Sequence, residues 1–194
     1  MKKKIGIKLV LSFLLILVFL VSCASAQPAA QSEPVVGKEL SAEVESFLKE
    51  KNIKYMKKDG SGREKVFGFL TEKKNGTFLC SVVTKEDPKI LFASSTFYPK
   101  IKVSVKRSPV VLEYLNELNN KLAGNFNLSH TTETVWFRNS SLIPDCPESR
   151  QMIDRTIFTN LAIFSKFAED LTKVINDSAT PGEVDAGGKL KKSE

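Results

Sequence analysis

Between Ser108 and Leu142 the spacing of apolar residues changes from helical to alternating within a few positions. In the first half, Val111, Tyr114, Leu115, Leu118 and Leu122 recur at three- and four-residue steps, opposite Glu113, Glu117, Asn120 and Lys121. Ser108 is expected to accept a hydrogen bond as N-cap, Pro109 suits the first helical position, and Gly124 is expected to supply the left-handed conformation that ends such helices. Beyond it Phe126 and Leu128 alternate with Asn125 and Asn127. After a polar corner Val135 and Phe137 alternate with Thr134, Trp136 and Arg138. A helix feeding an antiparallel hairpin sets the fold class as α+β.

The rest of the chain supplies the partners of this unit. Leu40, Val44, Phe47 and Leu48 mark a first helix over Glu39 to Asn52, with Ser41 as its expected N-cap. Strands are expected over Lys65 to Thr71, Thr77 to Val83 and Lys89 to Phe97, separated by the Asn75-Gly76 and Asp87-Pro88 turn signals. Tyr98 to Lys106 (YPKIKVSVK) also alternates and either extends the third strand past Pro99 or forms an edge strand, where proline and lysine are tolerated. A closing helix is read from about Glu148 to Asn176, because Ile153, Ile157, Leu161, Phe164, Ala168, Leu171 and Ile175 repeat without a break. The expectation is a mainly antiparallel sheet of about five strands packed against an N-terminal, a middle and a long C-terminal helix.

Val110-Val111, Leu115-Asn116-Glu117-Leu118-Asn119, Phe126-Asn127-Leu128, Val135-Trp136-Phe137 and the closing helix follow one another in a set order. In this order the chain resembles the YbjN-like domain family, whose members look like class I type III secretion chaperones in fold. The resemblance covers roughly Glu39 to Asn176 and rests on hydrophobic pattern plus two asparagines. It implies a binding or regulatory domain without known catalytic residues, made to pair or to receive a protein partner.

Ahead of that domain, Met1-Lys2-Lys3-Lys4 and the apolar run Leu9 to Val21 have the form of an export signal. The run is shorter than the roughly 20 apolar residues of a membrane span. Leu20-Val21-Ser22-Cys23 fits a bacterial lipobox, in which Cys23 is lipidated and becomes the new N-terminus; Ala24-Ser25-Ala26 fits ordinary signal cleavage and a secreted product. The lipobox is the preferred reading, since a cysteine placed directly after the apolar core is rare by chance. The domain plan is then a signal peptide over 1–22, a tether over 23–38, the α+β domain over 39–177 and a disordered tail over 178–194. Such a protein is held on the cell envelope by a lipid anchor, facing outside the cytoplasm.

The formal charge of +7 falls to +3 once Lys2, Lys3, Lys4 and Lys8 leave with the signal. The remaining lysines are interspersed with acids, which argues against a nucleic-acid partner. His130 is the only histidine and sits in a predicted turn, so the usual histidine-rich metal sites are excluded and a histidine-based catalytic group is not expected. No nucleotide, hydrolase or metalloprotease fingerprint occurs, and no cofactor is implied. Two readings of Cys80 and Cys146 stay open, a disulfide and two separate thiols. Trp136 is expected to pack under the last helix, with partial exposure as a recognition aromatic the alternative. The candidate partner-binding residues are Tyr98, Ile101 and Val103 on the expected edge strand, where a homodimer or a protein partner would add; protection against aggregation is the competing role. Function is expected to be non-catalytic binding of a protein partner, with a structural envelope lipoprotein or an unrecognised hydrolase as alternatives.

Overall fold

The computed structural model describes residues 38–178, 180 and 181, so Cys23, the expected signal peptide, nearly all of the tether and most of the tail lie outside the described residues. In chain order the elements are α1 (Leu40–Glu50), β1 (Met56–Asp59), β2 (Lys65–Lys73), β3 (Gly76–Glu86), β4 (Lys89–Phe97), α2 (Ser108–Asn119), β5 (Asn125–Ser129), β6 (Thr134–Leu142) and α3 (Ser149–Ile175). The strands form one antiparallel sheet in the order β1-β2-β3-β4-β6-β5. The α+β class and the three helices are as expected, with six strands in place of about five.

β1 accounts for the sixth strand. β1, with the sequence MKKD, is exposed throughout and has no apolar alternation, so only its pairing with β2 reveals it. Conversely, the expected edge strand from Tyr98 to Lys106 is not a strand. It makes one isolated bridge, Lys102 opposite Thr134, supported by the Val103 N–H donating to the Glu133 carbonyl at 2.7 Å. Pro99 brings no N–H to a ladder, and the Val103 side chain turns into the core, where it is 1% exposed.

Among the described residues, helices cover one face of the sheet only. Every second residue is buried from Phe78 to Thr84 in β3 and from Leu91 to Phe97 in β4, and so are Phe67 and Phe69 in β2, as the two-residue strand period requires. Among the described residues, each buried strand residue except Thr134 belongs to that helix-facing set. Two apolar clusters fill the space beneath the helices. One gathers α1, β2 and the first turns of α3 around Phe47, Phe67, Phe69 and Ile157. The other gathers α2, the β5–β6 hairpin and the rest of α3 around Phe164, whose ring centroid lies 5.3 Å from Phe78, 5.0 Å from Phe97 and 6.0 Å from Phe126. Burying a side chain of this size contributes about 1.5–3 kcal/mol, so these clusters are the main source of stability.

Asn160 of α3 contributes to neither cluster. It is fully buried, accepts from the Ser95 hydroxyl at 2.5 Å, and donates to the Ala93 carbonyl at 2.8 Å and to Asn139 Oδ1 at 2.9 Å. A second asparagine, half-buried, ties α2 to β5. Asn119, at the end of α2, accepts from the Phe126 N–H at 2.6 Å and donates to the Phe126 carbonyl at 2.9 Å, acting as a strand partner for the outer side of β5.

The helix ends differ from the sequence expectation. Ser41 lies inside α1, and the orphan N–H groups of Leu40 and Ser41 are instead taken by the two Glu86 oxygens at 2.9 and 3.0 Å. Ser108 does not cap α2; its hydroxyl donates to the Ser104 carbonyl at 3.1 Å. Gly124 does not end α2, whose C-cap is Asn120; it stands just before β5 at φ +131°, and a Cβ there would lie 2.5 Å from the Phe137 ring. Only glycine fits both the conformation and the space.

Candidate interaction surface

The uncovered face of the sheet carries the side chains that alternate with the core; the apolar ones are Met56 on β1, Val66 and Leu70 on β2, Leu79 and Val83 on β3, Ile90 and Phe92 on β4, and Trp136 and Leu142 on β6, and a row of Gly68, Ser81, Ser94 and Arg138 runs between them. Met56 is 66% exposed, Leu70 49% and Leu142 60%. The others are half-buried by their own neighbours in the sheet. The strands therefore read as nearly continuous apolar runs, VFGFL, FLCSVV and KILFA. That composition is usual for strands covered on both faces.

Each end of the sheet also has a notch, because the edge strands are shorter than their neighbours. β1 pairs with β2 only as far as Gly68, leaving Phe69 to Lys73 without a partner on that side. The cavity there measures about 1030 Å³ and is lined by Met56, Leu70, Leu79, Tyr98, Phe158 and others. At the opposite end β5 pairs with β6 only as far as Arg138, leaving Asn139 to Leu142 open. A cavity of about 850 Å³ adjoins it, lined by Phe92, Trp136, Arg138, Met152 and Arg155 among others. The Arg138 guanidinium lies over the Phe92 ring, 4.3 Å from its centroid.

Against this geometry the expected site residues separate. Tyr98 is 50% exposed and borders the β1-side notch. Ile101 is half-buried against the core and Val103 is inside it, so neither is presented on an edge. Trp136 does not lie under α3: it is half-buried on the bare face, opposite Thr96 and Asn127. The alternation already required this, since Val135 and Phe137 point to the core. Asn116 is exposed, whereas Asn119 has the structural task described above.

Cys80 and Cys146 are both free thiols. Cys80 is buried between β2 and β4, and burial, partly offset by a hydrogen bond with Ser95, pushes its thiol up to about 12. A thiol held so strongly protonated is a poor nucleophile. His130 is exposed in the β5–β6 turn and does not meet it. Among the described residues no group of three or more His, Cys, Asp or Glu side chains is placed to hold a metal ion. No described helix is long and apolar enough to cross a membrane. The Tyr114 hydroxyl is buried without a hydrogen-bond partner, and burial followed by the nearby Asp170 charge raises its pKa. It lies within the packed core, away from both notches.

The residues that matter on this surface were written in the sequence as apolar side chains of the wrong parity for the core. No family model matches the chain, and no curated protein matches it in sequence.

Proposed function

We propose that this chain is an exported, lipid-anchored, non-catalytic binding domain that engages a protein partner, or a second copy of itself, at the cell envelope. The observation that supports this reading is the bare apolar face. Six strands at a spacing of about 4.8 Å, each some seven residues long at about 3.3 Å per residue, present roughly 700 Å². A specific protein–protein interface takes about 800 Å² from each partner, so the face is of suitable size. Two apolar rows, Val66-Val83-Phe92 and Leu70-Leu79 with Trp136, flank a row of Gly68, Ser81, Ser94 and Arg138, so the face offers apolar contact on both sides of a polar strip, with Lys58 and Lys85 toward its margins. The lipobox reading of Leu20-Val21-Ser22-Cys23 places such a domain on a membrane surface, with residues 23–38 as its tether. The YbjN-like resemblance agrees with a domain that presents a sheet.

The test compares the full-length chain, extracted from membranes, with a Leu79→Lys variant. Sedimentation and recovery of cross-linked envelope proteins are the readouts, with circular dichroism as the folding control. Loss of a dimer or of a specific partner with the fold intact supports the proposal. A wild type that stays monomeric and recovers the same proteins as the variant refutes it. Intact mass addresses the anchor separately: an acylated species beginning at Cys23 is expected, and a soluble species beginning at Gln27 removes the anchor from the proposal.

A further inference from the structure

We infer that the notch beside β6 is a docking site for an extended, acidic peptide segment, which adds to the sheet as a strand; this rests on the partner-binding reading and specifies the chemistry of the partner. In an antiparallel ladder, successive residues direct their N–H and C=O groups to opposite sides. Ile143 donates its N–H to the Lys89 carbonyl at 2.9 Å, toward β4. Ser140 and Leu142 consequently aim theirs to the other side, where β5 has ended. Four residues of open edge, Asn139 to Leu142, span about 13 Å and match a four-residue strand.

Charge selects the occupant. The lining contains two arginines, Arg138 and Arg155, and no Asp or Glu. Neither arginine has an ion pair among the described residues: Arg138 only stacks on Phe92, while Arg107 and Arg150 are both engaged by carboxylates. Arg138 belongs to the bare-face set of β6, and Arg155 comes from α3 on the covered side, so the two flank the open edge from opposite faces. Adjacent residues of a strand also point to opposite faces. A segment with two neighbouring carboxylates therefore meets one arginine with each, whereas carboxylates at alternate positions leave one arginine unmet. Met152 and Trp136 supply apolar contact on the two sides.

Trp136 is the chain's only tryptophan and lines the notch, so its fluorescence reports occupancy. The probes are blocked six-residue peptides of valine and threonine carrying two glutamates at neighbouring positions, the same glutamates at alternate positions, or two lysines. A saturable shift with the neighbouring-glutamate peptide is expected, weaker by about tenfold for the alternate arrangement and absent for lysine. N-methylation of alternate backbone nitrogens should abolish it in wild type, and Arg138→Gln with Arg155→Gln should weaken it about 100-fold. No shift up to millimolar peptide, equal shifts for glutamate and lysine, or an equal shift with free glutarate (an anion site only) overturns the inference. A silent peptide titration alongside Leu79-dependent partner capture discards the notch and keeps the sheet face; failure of both discards both.

Discussion

Leu91 and Leu142 sit one residue apart in register on paired strands, yet Leu91 is fully buried beneath α3 and Leu142 is 60% exposed on the other side of the sheet. The same contrast runs through the whole domain. On the covered face, phenylalanine rings meet at centroid distances of 4.7 to 6.1 Å, and Asn160 satisfies the polar groups between the two apolar clusters. On the bare face, Leu70, Leu79, Phe92 and Trp136 have only their strand neighbours, and the edges are left open at both ends. Covering apolar surface is what folds the first face. The second face has no cover among the described residues, and the proposed partner would supply one.

The comparison breaks most directly with matched truncations. Phe164→Ala should cost about 3–5 kcal/mol, because a ring touching three others leaves a cavity that the sheet cannot close. Phe92→Ala, which loses a half-buried ring and the Arg138 stack, should cost about 1 kcal/mol or less. Urea unfolding of both variants measures the difference, and equal losses would mean that the two faces are not distinct. Thiol labelling gives a comparable contrast by another route. Cys146 is half-buried in a loop and should react in the native protein, whereas Cys80 must wait for unfolding and should react at least about a thousandfold more slowly. Two reactive thiols on denatured, unreduced protein are expected; none would show that the pair is bonded after all.

Asn160→Ala should come next, at about 1–3 kcal/mol, since it leaves the Ser95 hydroxyl and the Ala93 carbonyl without this partner inside the core. An effect below about 0.5 kcal/mol would show that water replaces the amide. The contacts of Asn160 also show where sequence reading ran out. Local pattern was enough to recover α3, the β3–β4 pair and the β5–β6 hairpin, because each has its period or its turn residue within a few positions. Long-range polar contacts leave no such mark. Glu86 caps α1 across 45 or 46 positions, and Asn160 reaches Ala93 across 67. Alternation in Tyr98 to Lys106 was a false strand signal, since Val103 is buried by an irregular turn inward rather than by sheet pleating, and Val105 beside it is 82% exposed. The bare face was legible in principle: apolar residues of both parities in β2, β3 and β4 imply two covers, and the described helices provide one.

The smallest expected effect is the one that sharpens the contrast furthest. Leu70→Thr and Leu142→Thr replace two exposed leucines in strands with a β-branched residue that favours the extended conformation. Each leucine keeps only part of its surface from water, so the lost burial is a fraction of the roughly 1.5–3 kcal/mol that a fully buried leucine contributes. Strand propensity offsets part of that fraction, and the double variant should unfold within about 0.5 kcal/mol of wild type. Leu91→Thr makes the same chemical change on the covered face, where it removes a fully buried side chain and places a hydroxyl among apolar neighbours, so a loss of several kcal/mol is expected there. Urea unfolding of both reads folding, and partner capture by the Leu70→Thr, Leu142→Thr chain reads function. Unchanged stability with weakened capture assigns the bare face to binding. A double variant as unstable as Leu91→Thr would instead show that these leucines hold the sheet together, and the division between a folding face and a binding face would fall.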